Sequence, residues 1–318
     1  MGTREKISGN CLLAALVVLL FVCCKKETTT TVESTSDSVS QSTIAFDELT
    51  INNEFDQAAD DAVTVLCDST ATIAGAVVDR SQVNIGIIEI DYYGKEADGT
   101  KTRTGSDSIH QPIVGGHVVP WGTPGATATI TLGTYSSPGY EVLFATNNTS
   151  VRLSGSAILT NTYGGDLQSI IPGDSLVERI RASISFTYND NAAIIQLFPW
   201  YLNQIRVFTL SGSITSATTR GDTSINGYLN VGTWGTDRLG NSFYTSTNTP
   251  VVQNISTANL SYNPLSGNKT IEGITEPITN TYGVTSLGGI QSTGTPYGLL
   301  ATWIDNGAQS QIVLPYYY

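Results

Sequence analysis

The sequence predicts a mainly β protein, built as one or two antiparallel sandwiches or an open barrel, with one short N-terminal helix behind a disordered tether. Three observations lead there. The 318 residues include 31 Gly and 15 Tyr but one Met, and 13% are charged, a bias toward strands and turns. Short apolar or alternating runs recur about every 8 to 12 residues, separated by turn-forming pairs. A single segment carries a helical spacing of apolar residues.

The chain opens with the short basic region Met1 to Lys6 and then runs almost without polarity from Cys11 through Val22 to Cys23 and Cys24. That stretch is shorter than the roughly 18 to 20 apolar residues that cross a bilayer, and Lys25 and Lys26 follow it directly. It reads as a signal peptide over residues 1–23 rather than a membrane helix. The cysteine at its end matches the acceptor of a lipobox, and multiple acylation of such a cysteine holds a soluble domain at a membrane. Phe21, Val22 and Cys23 precede Cys24, whereas Leu20, Phe21 and Val22 precede Cys23. The smaller residue before the cut favours Cys24, with Cys23 the second choice, although Gly, Ala or Ser is the usual residue there.

Residues 24–45 are rich in Thr, Ser, Glu, Asp and Gln and offer little to bury, so they are expected to form a flexible tether. Residues 46–318 are expected to form the β-rich domain, whole or divided into two sub-domains near 165–175. A helix is predicted between about Asn52 and Leu66. There Phe55, Ala58, Ala59, Ala62 and Leu66 recur at spacings of three and four, and Asp56, Asp60 and Asp61 occupy another side. Asn52 or Asn53 supplies its cap.

Strands are then predicted over Val83 to Tyr93, turning at Asp98-Gly99 into Lys101 to Thr104, and over Ala126 to Tyr135, Tyr140 to Thr146, Val151 to Thr162 and Leu176 to Tyr188. The series continues with Ala192 to Phe198, Gln204 to Thr215, Ser224 to Gly232, Ser242 to Thr247, Ala258 to Asn263, Asn268 to Thr279, Gly298 to Ile304 and Gln309 to Tyr318. Pairs such as Asn226-Gly227 and the triplet Asp305-Asn306-Gly307 tolerate positive φ and separate them.

Several stretches carry a resemblance. The signal ending in Cys24-Lys25-Lys26-Glu27, the acidic helix, Ile90-Asp91-Tyr92-Tyr93-Gly94, Asp98 to Gly105 and Ser154 to Asn161 resemble a group of Bacteroidetes-type envelope lipoproteins of unknown function. The resemblance implies a bacterial outer-membrane address and a β fold, and it transfers no catalytic residue. Asp37-Ser38-Val39, Asp68-Ser69-Thr70, Asp107-Ser108-Ile109 and Asp174-Ser175-Leu176 are similar to the O-glycosylation site of the same bacteria.

The net charge of −12 argues against nucleic acid or an anionic lipid surface as partner, because both select basic patches. Once the signal is removed, Cys67 is the only cysteine of the folded part, so no internal disulfide framework is expected, and a small core hydrophobe is its expected role. Gly173-Asp174-Ser175-Leu176 matches the nucleophile motif of an esterase family, but a serine nucleophile needs a histidine base. The two histidines, His110 and His117, both lie upstream, whereas that family places its base near the C-terminus. His110, His117 and Asp107 lack metal-ligand spacing. Glu89 and Asp91 alternate along one strand, as solvent-facing residues do. Neither a cofactor nor a metal is expected.

The aromatic clusters Phe198-Pro199-Trp200-Tyr201, Trp121, Trp234 with Tyr228, and Tyr316-Tyr317-Tyr318 offer either core packing or flat surfaces for sugar rings. The expected function is that of a lipid-anchored, non-enzymatic binding or interaction module with a glycan or protein partner. An adhesin or fimbrial-type subunit and a carbohydrate-binding lipoprotein are its rivals.

Overall fold

The computed structural model describes residues 36–318 apart from 97–98, 134–138, 145–148, 168, 190–195, 212–213, 256–262, 293–294 and 317–318. The proposed signal peptide, Cys23, Cys24 and the tether up to residue 35 lie outside the described residues. Residues Ser36–Tyr318 form one compact unit.

A helix, α1 (Ser36–Cys67), opens the unit and runs for 32 residues, about 48 Å at 1.5 Å per residue. It begins well before Asn52, so residues 36–45 belong to the helix rather than to a tether. The strands follow: β1 (Ala76–Asp79), β2 (Ile87–Lys95), β3 (Lys101–His110), the two-residue pair β4 (Ile113–Val114) and β5 (His117–Val118), β6 (Ala126–Leu132), β7 (Tyr140–Phe144), β8 (Ser150–Asn161) and β9 (Ser175–Asn189). The rest are β10 (Phe198–Ser211), β11 (Ile214–Gly221), β12 (Thr223–Ile225), β13 (Tyr228–Thr236), β14 (Ser242–Ile255), β15 (Pro264–Glu272), β16 (Ile278–Val284), β17 (Gly298–Asp305) and β18 (Ala308–Pro315). The expected strand from Val83 starts later, because Val83–Ile85 close a 3-10 turn before β2.

All strands except β4 and β5 join one antiparallel sheet. The apparent branches in its order are interrupted strands. Along β3, residues Lys101 to Thr104 pair with β7 and residues Asp107 to His110 with β6, so β6 and β7 occupy one position between β3 and β8. Along β10, residues Trp200 to Leu202 pair with β13 and residues Gln204 to Ser211 with β11, so β11 and β13 likewise occupy one position between β10 and β14. The sheet is therefore an up-and-down meander whose edges are β1 and β18. β8 and β9, on either side of residues 165–175, pair from Ser150↔Asn189 to Asn161↔Glu178.

The meander curls round α1. Buried helix residues include Asp47, Glu48, Leu49, Thr50, Ile51 and Asn52, consecutive positions that point in every direction around the axis. A helix buried on all faces needs a wall on all faces. Alternate residues of the strands provide it: in β10 the inward side is Phe198, Trp200, Leu202, Gln204, Arg206 and Phe208. Trp200 packs against Phe186 and Phe243 with ring centroids 5.4 Å and 4.6 Å apart, and its indole N–H donates to Asn52 Oδ1 of α1 at 3.0 Å. Among the described residues no helix is long and apolar enough to cross a membrane.

Candidate functional site: a buried polar seam and the cleft beside it

Every charged residue of α1 is acidic: Asp37, Asp47, Glu48, Glu54, Asp56, Asp60 and Asp61. The last six are buried, and bases from the wall meet most of them. Lys101 Nζ lies 2.5 Å from Glu54, Arg103 pairs with Asp61, Arg206 donates to Asp60 Oδ2 at 2.9 Å, and Lys269 Nζ lies 2.9 Å from Glu48. Arg238, just past β13, donates from Nε to Asp47 Oδ1 at 2.9 Å.

Helix geometry explains why the bases come from such distant strands. At 3.6 residues per turn, Glu54 and Asp61 share one direction, Asp60 points roughly 100° away, and Glu48 roughly 120° beyond that. Their partners come from β3, β10 and β15 in turn, so the sheet order follows the rotation around the helix. Each base also lies over an aromatic ring: Arg103 over Tyr92 at 4.8 Å, Arg206 over Phe208 at 5.0 Å, Lys269 over Tyr282 at 5.5 Å, Arg238 over Tyr188 at 4.0 Å and Lys101 over Phe144 at 5.8 Å. Such pairs gain little over apolar packing, but breaking one strands a buried charge at a cost of about 3 to 5 kcal/mol. They therefore fix the register of the helix against the sheet.

Acids outnumber bases in this interior. Burial pushes Asp56 up to about 6, with Arg206 opposing and Asp60 and Glu48 adding to the rise. Glu178, in β9 opposite Arg206, is fully buried and raised by burial to about 7. Burial also lifts Asp47 to about 6 despite Arg238, and Asp107 well above the carboxylate range, with Asp61 adding to it.

A small cleft opens beside the seam, lined by Glu48, Asn52 and Asp56 of α1 and by Gln204, Thr219, Gln253, Lys269 and Tyr282 of the wall. Its free room takes a water molecule or an ion of similar size, not a sugar ring. Glu48 is tied down there, accepting from Asn52 Nδ2 at 2.7 Å and from the Tyr282 hydroxyl at 2.8 Å.

The residues singled out in the sequence fall elsewhere and apart. Ser175 is the exposed first residue of β9, just after the turn at Pro172-Gly173. His110 ends β3 in the row that continues through Thr129 and Ile158 to Arg181 of β9, six residues from Ser175, or about 20 Å along the strand. Asp107 points inward and His110 outward on the same strand, and among the described residues no group of three His, Cys, Asp or Glu is placed to hold a metal. Glu89 and Asp91 lie on the outer face of β2, opposite the buried Ile88, Ile90 and Tyr92. Cys67 is half-buried at the end of α1, and burial, with Asp166 adding, pushes its thiol up to about 12.

Trp121 and Trp200 are core residues, so neither offers a face to a sugar. Tyr316 is buried too, its hydroxyl oxygen accepting from the Gly283 N–H at 3.0 Å, while Tyr317 and Tyr318 lie outside the described residues. Trp234 differs. It stands half-buried on the outer face, stacked on Tyr201 with centroids 5.6 Å apart, directly across the ladder from Tyr244, which in turn packs on Tyr228 at 4.9 Å. No protein-family model, curated protein or solved structure compared with the chain matches it.

Proposed function

We propose that the chain is a lipid-anchored protein of the bacterial outer membrane, acting as a non-enzymatic binding or interaction module on the periplasmic or outer side. The observation that carries the reading is the apolar run Cys11 to Val22 ending at Cys23-Cys24 and followed by Lys25-Lys26. The filled interior supports the binding role: α1 occupies the space a substrate cavity would need, which leaves the outer faces and edges of the sheet for partners. In Triton X-114 partition of the full-length protein made in a Gram-negative envelope, the parent enters the detergent phase and Cys24→Ala enters the aqueous phase. A parent protein in the aqueous phase overturns the anchor.

The outer row Tyr201, Trp234, Tyr244 and Tyr228 favours a glycan as partner, because aromatic rings beside polar groups suit the two sides of a sugar. Retention on immobilised glycans that disappears in Trp234→Ala supports that reading, and retention unchanged in this variant removes it.

A further inference from the structure

We propose that the cleft between α1 and the β10–β16 wall holds a hard cation of the sodium or calcium class, coordinated by the oxygens of Asp56, Gln204 and Thr219. Three buried acceptors line this one space without a hydrogen-bond partner among the described residues: Asp56 Oδ1, Gln204 Oε1 and Thr219 Oγ1. The residues that carry them are 7%, 2% and 6% exposed. Orphaned acceptors at such depth are costly, and a protein retains them where something supplies positive charge or a donor.

The charge count points the same way. Glu48, Asp56, Asp60 and Glu178 are four buried carboxyl groups with only Lys269 and Arg206 as bases beside them, so their full ionisation leaves two negative charges that a bound cation would offset. Lys269 lines the cleft too, but its ammonium is engaged by Glu48 at 2.9 Å and lies over the Tyr282 ring, and Arg206 is held by Asp60. Neither base forms an ion pair with Asp56.

A carboxylate, an amide oxygen and a hydroxyl are hard donors, which suit sodium or calcium and not zinc or copper. The free room in the cleft they line takes one such ion or one water. The β14–β15 ladder breaks register at three places between Thr247 and Gln253, and Val251, Gln253 and Pro264 at this irregular stretch line the cleft.

The test is thermal unfolding of the mature chain, followed by tryptophan fluorescence after dialysis against chelator and choline chloride. Addition of calcium chloride or sodium chloride raises Tm by several degrees above choline chloride at equal ionic strength. A response at submillimolar calcium identifies calcium; one that needs tens of millimolar sodium and ignores calcium identifies sodium. The increment is lost in Asp56→Asn and reduced in Thr219→Val, which keeps the side-chain shape. No increment over choline, or the same increment in both variants, overturns the proposal and leaves the cleft to water alone.

Discussion

Replacing Glu178 with Gln should change how stability depends on pH. Glu178 is fully buried, and neither carboxylate oxygen accepts a hydrogen bond from a described residue. Burial raises it from 4.5 to about 7, partly opposed by Arg206 and assisted by Asp60. Because the folded value lies above the unfolded one, the native state holds its proton more tightly. The group's stabilising contribution is complete below about pH 4.5 and is lost as pH rises through about 7. A difference near 2.5 pH units at 1.36 kcal/mol each corresponds to about 3 kcal/mol. The neutral Gln of Glu178→Gln has no proton to lose.

Urea unfolding followed by tryptophan fluorescence, in choline buffer at pH 5 and pH 7.5, reads the effect. The parent loses stability between the two values, with Asp47 and Asp56, both raised to about 6, contributing in the same direction. Glu178→Gln loses about 2 kcal/mol less over that interval, which spans most of the titration, and it is the more stable protein at pH 7.5. Equal slopes in parent and variant would refute the idea that Glu178 is buried without a compensating partner.

Two further outcomes follow from the seam. Arg103→Met strands Asp61 in the interior and should cost about 3 to 5 kcal/mol in the same urea assay, whereas Arg103→Met combined with Asp61→Leu should recover most of the loss; a double variant as unstable as the single one contradicts the pairing. Cys67, with its thiol pushed up to about 12, should resist iodoacetamide at pH 7.5 in the native protein and react once urea unfolds it; rapid native alkylation contradicts its placement.

The strands were legible because each alternates against a single wall. Ala126, Ala128, Ile130 and Leu132 announce β6, and the β17–β18 hairpin was visible at Asp305-Asn306-Gly307. The joins were less so: the expected strands Gln204 to Thr215 and Asn268 to Thr279 each run across the gap between two real ones, β10 with β11 and β15 with β16. The helix was half legible. Its C-terminal part shows apolar spacing, but an enclosed helix has no solvent face, so its first half carries no stripe to detect.

The same enclosure hid the site. Asp56, Asp60 and Asp61 occupy one side of the predicted helix and read as its polar face, yet all three are buried, and Asp60 and Asp61 meet bases 146 and 42 residues away. One signal was available: seven acids and no base in 32 residues is an uncompensated run, and the complementary Lys and Arg had to come from the sheet. Tyr201 and Trp234 were visible as aromatics, but their meeting on the outer face depends on β13 returning to pair with β10.

The most direct test of the central claim is metabolic labelling with a fatty acid, applied to the full-length parent, Cys24→Ala and Cys23→Ala. The parent and Cys23→Ala should carry label, and Cys24→Ala should carry none. An unlabelled parent contradicts the lipid anchor, and label that persists in Cys24→Ala but is lost in Cys23→Ala moves the anchor to Cys23.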